Sequence, residues 1–310
     1  MSNDKAELSR GGVSSASTKL YSNERKGVLF IVATPIGNLA DISLRALEVL
    51  KQVDLIAAED TRNSKVLLNH HSIQTAMTAY HEHNEDSKSK FLLEKLSAGE
   101  SIALISDAGT PLINDPGYSL VEKVKQAGFS VIPIPGACAI ITALSASGIA
   151  TDRFSFEGFL PRTSGARKAV FEAYQKRQGT LVFYESSHRI AKCMDDVVAV
   201  YEPMHKMSIA RELTKTYETI VTGTVEEVYQ RVLADANMQR GEFVVLIEGF
   251  DKKKHANDGL SDDDITILKT LMSECSVKTA VKLAVQLTGQ SKKELYKTAL
   301  TLNNDSDMKG

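Results

Sequence analysis

The stretch VLFIVATPIGNLADISLRALEVLKQVDLIAAEDTR, residues 28–62, decides the fold. Residues 28–33 are a short β-rich apolar run, residues 43–52 carry apolar side chains at helical spacing, and residues 54–58 form a second apolar run. An apolar strand, an amphipathic helix and another apolar strand in succession mark a βαβ unit whose strands are buried on both faces. The pattern repeats as SIALIS at 101–106, a helical SLVEKVKQA at 119–127 and SVIPI at 130–134. Strands joined through helices predict a parallel sheet covered on both sides, and therefore an α/β domain over residues 27–150.

After Arg153 the signals change, with the basic stretch PRTSGARK at 161–168 marking the boundary. TLVFYE at 180–185, KMSIARE at 206–212, YETIVTGT at 217–224 and EFVVLIEG at 242–249 read as strands of a second α/β domain, residues 151–250. YETIVTGT alternates like a partly exposed strand, so this sheet is expected to be mixed, with at least one antiparallel pair. Residues 1–26 read as a disordered tail and 251–260 as a linker. Residues 261–310 read as a small helical domain. There Val277, Ala280, Val281, Ala284 and Val285 share one helix face, Ser276 starts that helix and Gly289 ends it, and Ser291 with Glu294 forms a capping box. Lys278, Lys282, Lys292, Lys293 and Lys297 decorate this unit, either as a solvated face or as a nucleic-acid contact.

Composition narrows the classes. A chain of 310 residues, 43% hydrophobic and 25% charged, suits about two globular domains and excludes disordered or collagen-like chains. A formal net charge of -2 supplies no bulk attraction to nucleic acid, so any such partner must be held by local clusters. Cys138, Cys193 and Cys275 are too few and too scattered for a disulfide framework or a Cys-x-x-Cys metal site, which fits a reducing cytoplasm. The N-terminus has acidic residues and no apolar core, unlike a signal or transit peptide. Residues 130–151 lack charge over a membrane-spanning length, but Pro133, Pro135 and Gly136 divide them into a buried strand, a turn and a helix, and no membrane partner is expected.

Three loops follow predicted parallel strands, where open α/β sheets place ligands. ATPIGNLADIS at 33–43 has neither the dinucleotide fingerprint nor a phosphate-loop spacing, although Pro35 and Gly37 permit close backbone approach. SDAGTPLINDPG at 106–117 holds two glycines and two prolines with Asp107 and Asp115 near its ends, and reads as a ligand cradle. The third, from Pro135, turns into a helix of small residues. Asp60, with Glu59, Thr61 and Arg62, is a candidate acid, base or phosphate clamp, with helix capping as the alternative. His81 and His83 lack a metal-ligand spacing, and no metal site is expected.

Together LFIVATPIGNLADISLRALEVLKQVDLIAAEDTR, LISDAGTPLINDPG, PGACAIITALSASG, FEGFLPR, FYESSHR, ARELTKTYETI and GEFVVLIEG resemble the tetrapyrrole methylase superfamily. Within it they are similar to the ribosomal small-subunit RNA methyltransferase I family, over about residues 27–250, and the resemblance implies that family's helical C-terminal domain beyond. That family usually has Pro-Gly-Pro where this chain has Pro135, Gly136 and Ala137.

The resemblance implies a two-domain tetrapyrrole-methylase-like fold with a cofactor cleft between the domains, and a homodimer. It also implies S-adenosylmethionine as cofactor and 2′-O-methylation of a decoding-centre cytidine in the 16S rRNA of the small ribosomal subunit. Carried onto this sequence, cofactor binding falls to Pro35, Gly37, Asp107, Gly109, Thr110, Ile113, Tyr184, Leu213 and Glu242. Candidate bases for the attacking hydroxyl are Asp60, Glu185 and His188, and candidate RNA contacts are Arg62, Arg162, Arg167, Lys168, Arg189, Lys292 and Lys293. The competing readings are a tetrapyrrole C-methyltransferase and a non-catalytic RNA-binding protein.

Overall fold

Side-chain alternation along three strands builds the first sheet. The computed structural model describes residues 27–250, 260 and 262–307. In β1 (Val28–Val32), β2 (Leu55–Ala58) and β4 (Ser101–Ile105), even and odd positions face opposite ways. Phe30, Val32, Ile56, Ala58, Ala103 and Ile105 pack under α1 (Leu44–Gln52) and α2 (Thr61–His70). Leu29, Leu55, Ala57, Ile102 and Leu104 pack under α3 (Glu85–Ser97) and α4 (Tyr118–Gln126). With β3 (Met77–Ala79) and β5 (Ser130–Ile134) the strand order is β3-β2-β4-β1-β5, all parallel. Every strand therefore ends on the same edge, where the loops collect.

The second sheet is mixed, as expected, with order β6-β7-β10-β8-β9. β6 (Phe154–Phe159) runs parallel to β7 (Thr180–Ser186). β10 (Glu242–Ile247) is antiparallel to β7 and to β8 (Lys206–Arg211), and β9 (Thr219–Thr224) is antiparallel to β8. The small-residue helix α5 (Ala139–Ser147) lays Ile140, Ala143 and Leu144 on Val182, Ala210, Val244 and Leu246 of this sheet. α6 (Ser164–Gln175), α7 (Ile190–Val200) and α8 (Val225–Ala234) complete the layer architecture. β3 and β6 are not among the strands read from the sequence, and the stretch 161–168 contains the start of α6.

The chain divides into two compact units. One holds both sheets and spans the described residues to Phe171 together with Thr180–Glu248; the other joins Glu172–Gly179 to the described residues after Glu248. In the second unit, α9 (Asp262–Glu274), α10 (Val277–Thr288) and α11 (Lys292–Asp307) bury Leu268, Ala280, Val281, Ala284, Leu295 and Ala299. Ser276 caps α10, Gly289 ends it at φ +70°, and the Glu294 N–H donates to Ser291 Oγ at 3.4 Å. The tail expected at 1–26 and all but the last residue of the linker expected at 251–260 lie outside the described residues. No helix of the described residues is long and apolar enough to cross a membrane.

One buried ion pair fixes α6 to α7. Arg167, 3% exposed, donates through Nε to Asp196 Oδ2 at 2.7 Å, and Ser164 donates to Asp196 Oδ1 at 2.5 Å. This overturns the expectation that Arg167 contacts RNA, because a guanidinium enclosed with its counter-ion is not available to phosphate. Removing one partner of such a pair strands the other charge. Asp196→Ala is expected to lower unfolding free energy by about 3–5 kcal/mol, whereas Arg167→Met with Asp196→Leu is expected to recover most of the loss. Urea denaturation of the three proteins checks both.

Candidate active site

The three loops past β1, β4 and β5 are laced together. The Thr34 N–H donates to Gly109 O at 2.8 Å and the Gly109 N–H returns a bond to Thr34 O at 3.0 Å. The Thr34 hydroxyl donates to Ser106 O at 3.1 Å, and the Thr110 hydroxyl to Ala137 O at 3.0 Å. Gly109 sits at φ +83°, and a Cβ there would stand 3.3 Å from Ile36 Cγ2. A side chain at that position would strain the backbone and crowd the neighbouring loop.

The residues after β8 form the facing wall. Gly37 lies so close to them that a Cβ would meet Lys215 Cγ at 2.5 Å and Leu213 O at 3.1 Å. Positive φ values occur at Glu212 and Thr214 on this wall and at Leu112 and Asn114 in the opposite loop. Such backbone costs about 1–3 kcal/mol per residue, and it concentrates at ligand sites.

Between the walls lies a cavity of about 360 Å³. Ile36, Ala108, Ala210, Leu213 and Val244 give it apolar sides, and its polar groups include Asp115, Cys138, Tyr184, Glu185, Lys215 and Glu242. Glu185 is 1% exposed; its Oε1 accepts the Ser186 N–H at 2.8 Å and faces Arg189 Nε at 3.1 Å. Its Oε2 has no partner among the described residues. Burial pushes this carboxyl above its ordinary value, opposed by the Ser186 N–H and the Arg189 charge. Burial also pushes the Asp115 carboxyl up to about 6; the Ser106 hydroxyl opposes this shift, and the charges of Glu59 and Asp107 add to it. At the rim, Lys215 Nζ bonds both Glu212 Oε1 and Glu242 Oε2 at 2.9 Å.

Of the residues singled out from sequence, Gly109, Thr110, Ile113, Tyr184, Leu213, Glu242 and Glu185 line this cavity. Pro35 and Gly37 flank its lining residue Ile36, and Asp107 turns away, accepting the Asp60 N–H at 3.1 Å and Asn63 Nδ2 at 2.8 Å. Asp60 proves to be a cap rather than a base: its carboxylate receives the Arg62 N–H at the start of α2. Hydrogen bonds from the Arg62 side chain and N–H hold the Asp60 carboxyl down to about 2, too low for proton abstraction near neutrality. His188 is exposed in the turn after β7, outside the cavity lining.

The basic residues divide as well. Arg189 is built into the scaffold, donating through Nη2 to Leu160 O at 2.7 Å and Pro161 O at 3.1 Å. Lys168 lies 3.8 Å from Asp196 and is partly exposed. Arg62, paired with Asp60, keeps 88% of its side chain exposed, and Arg162, Lys292 and Lys293 are exposed. His81 and Asn84 form a reciprocal cap on the turn Glu82–Asn84. Among the described residues no group of three or more His, Cys, Asp or Glu is placed to hold a metal ion. Sequence reasoning missed Asp115 as a cavity group, although it lies in the loop read as a cradle, and it missed Phe159 and Lys215, although they lie in the quoted stretches FEGFLPR and ARELTKTYETI.

Residues 28–229 match the family Tetrapyrrole (Corrin/Porphyrin) Methylases, and residues 258–303 match the RsmI C-terminal HTH domain. The chain is 50% identical over 274 residues to Ribosomal RNA small subunit methyltransferase I of Haemophilus influenzae, covering 88% of this chain and 96% of that one. It is 49% identical over 279 residues to the protein of the same name from Escherichia coli O157:H7, covering 90% and 96%. The chain belongs to the ribosomal RNA small subunit methyltransferase I family. Among solved structures, cobalt precorrin-4 methyltransferase superposes with a TM-score of 0.53 at 15% identity, covering 72% of this chain and 95% of that one. Diphthine synthase gives 0.53 at 14%, covering 72% and 90%. At that identity these two show the shared fold alone.

As a member of this methyltransferase I family the chain is an S-adenosylmethionine-dependent enzyme, and its cavity fits that cofactor. The cavity volume falls within the range of about 300–1,000 Å³ usual for small-molecule sites. Its acidic groups suit a sulfonium and an ammonium. Opening the contact between its walls should loosen the site. Gly37→Ala is expected to weaken S-adenosylmethionine binding about tenfold or more, or about 1.4 kcal/mol, while the urea midpoint changes little. Titration calorimetry measures the affinity, and unchanged affinity would show that the close approach at Gly37 does not shape the pocket.

Proposed function

We propose that this chain transfers a methyl group from S-adenosylmethionine to the ribose 2′-oxygen of a cytidine in 16S rRNA, acting on the small ribosomal subunit. The observation that carries the reading is a cavity with two half-buried or buried carboxyls, Asp115 and Glu185, at the junction of three laced loops. The chain around that cavity is similar along nearly its whole length to proteins named Ribosomal RNA small subunit methyltransferase I. A tetrapyrrole C-methyltransferase would share the core but has no evident use for the lysine-bearing helical unit, and a non-catalytic binder has no use for the cavity.

When bound, S-adenosylmethionine supplies an electrophilic methyl group on a sulfonium. The loops of 33–43 and 106–117 and the wall at 212–215 hold the two reactants in one cavity, and positioning of this kind contributes much of a displacement's acceleration. Gly109, Thr110, Ile113, Tyr184, Leu213 and Glu242 bind the cofactor, with Pro35, Gly37 and Asp107 shaping the loops behind them. Glu185 braces the end of β7 beside the cavity, held by Ser186 and Arg189. Asp115 receives the proton of the attacking hydroxyl, because its raised basicity makes it a better acceptor than an ordinary carboxylate while it remains ionised at neutral pH. Arg62, Arg162, Lys168, Lys292 and Lys293 contact RNA phosphates. Residues 27–150 and 151–250 serve as the two halves of the cleft, and the enzyme works as a homodimer in the cytoplasm, with exposed Ile141 and Phe154 offering apolar contact surface.

Methyl transfer tests this reading. Label from S-adenosylmethionine is expected to enter small subunits that lack the modification, at a nucleotide whose 3′ linkage resists alkali; no transfer to subunits or free rRNA despite cofactor binding would sink the rRNA assignment. The pH dependence tests Asp115 separately. Below about pH 6 the carboxyl is protonated and accepts nothing, so kcat is expected to fall about tenfold per pH unit there and to level off above. Asp115→Asn is expected to lower kcat by about 100-fold or more and to remove this pH dependence.

A further inference from the structure

An aromatic ring stands half-exposed at the cavity, and the backbone is distorted to put it there. Phe159 lines the cavity and is 52% exposed. Between Phe156 and Phe159 the pairing with β7 slips: three steps along β6 match two along β7, from Val182 to Tyr184. Gly158 absorbs this bulge at φ +61°, with Asn114 Oδ1 only 2.7 Å from where its Cβ would be. A bulge beside a site re-aims the side chain that follows it.

The ring is braced from below and behind. Its centroid lies 5.6 Å from that of Tyr184, whose other neighbour is Phe156 at 4.9 Å. The next three residues are clamped by two arginines. Arg189 donates to the carbonyls of Leu160 and Pro161, and Arg167 donates to Pro161 O at 3.2 Å and Arg162 O at 3.3 Å. Arg162, with its carbonyl held and its side chain exposed, brings a positive charge into the same clamped segment. Four guanidinium bonds and a bulge fix a surface that nothing else in the described chain covers by more than half.

Resting on the rRNA reading above, we propose that Phe159 is a stacking platform for an unpaired nucleobase of the RNA substrate, so that the enzyme engages a base swung out of its stack beside the reacting ribose. A rigid aromatic face suits any base plane, and stacking of this kind operates on single-stranded or splayed-out nucleotides. The exposed Arg162 supplies the charge a flanking phosphate requires. Pinning the segment in advance removes ordering cost that a mobile loop would incur on binding.

The test uses the full-length protein with Phe159→Leu and Phe159→Tyr. With unmodified small subunits as substrate, Phe159→Leu is expected to lower kcat/KM about 10- to 100-fold, and Phe159→Tyr to stay within about threefold of wild type. Cofactor affinity by calorimetry is expected to hold within about twofold in both. A second readout needs no turnover. A single-stranded RNA carrying 2-aminopurine is expected to lose fluorescence on binding wild type and Phe159→Tyr, and to keep it with Phe159→Leu. Wild-type kcat/KM and quenching in Phe159→Leu would overturn the proposal. So would a proportionate loss of cofactor affinity, which would assign the ring to the cofactor, or dissociation of an oligomer in sedimentation, which would assign it to a subunit contact. Failure of the rRNA reading shows differently, as absence of transfer by the wild-type enzyme itself.

Discussion

The pair of backbone hydrogen bonds between Thr34 and Gly109 is the constraint on which the site depends. A parallel sheet gathers its loops at one edge but does not order them, because each loop hydrogen-bonds only to its own strand ends. Here the first loop is tied to the second through Thr34 and Gly109, and the second to the third through Thr110 and Ala137. Gly109 takes a left-handed backbone in this tie and leaves no room for a side chain beside Ile36, so one cavity wall is a direct product of that bridge. The positive φ values at Leu112 and Asn114 follow from closing so short a loop against two neighbours.

The second sheet meets this edge through α5, and charge does the remaining work of assembly. Arg167 with Asp196 joins α6 to α7, and Arg189 with Glu185 joins the start of α7 to β7. Both arginines then reach the carbonyls of residues 160–162. The same contacts that hold the scaffold also set the electrostatics of the cavity. Ser186 and Arg189 keep Glu185 from rising further in its buried position, whereas the charges that act on Asp115 are the carboxylates of Glu59 and Asp107, which push it the same way as burial. Burial raises both acids, and only Glu185 has a cation among the groups that oppose the shift.

Much of this was legible in the sequence, for physical reasons that also mark where legibility ends. The apolar runs at 28–33, 54–58, 101–106 and 130–134 are strands because both sheet faces are covered, and burial on both faces leaves an unmistakable composition. The density of Gly and Pro at 106–117 marked a fixed loop, and that loop lines the cavity. β3 escaped because three residues carry no period, and β6 because its edge position and bulge break the alternation. The charged residues were read least well. Asp60 and Arg62, two residues apart, pair locally, and capping competes evenly with chemistry in any such cluster. Arg167 and Asp196 are 29 residues apart, and a basic stretch reads as exposed until the partner that buries one of its members is in view.

That misreading carries the last step of the argument. If Arg167 and Arg189 are spent on structure, the cleft has fewer free cations than the sequence implies, and the chain as a whole carries a net charge of -2. Phosphate neutralisation alone then gives limited affinity, since that term scales with the number of contacts made. Recognition must draw on something less dependent on charge. Shape at the cavity mouth, with an aromatic face held rigid by the two arginines that do not reach solvent freely, provides such a term. The scaffold charges therefore act on the substrate after all, at one remove, by fixing the backbone that presents the ring.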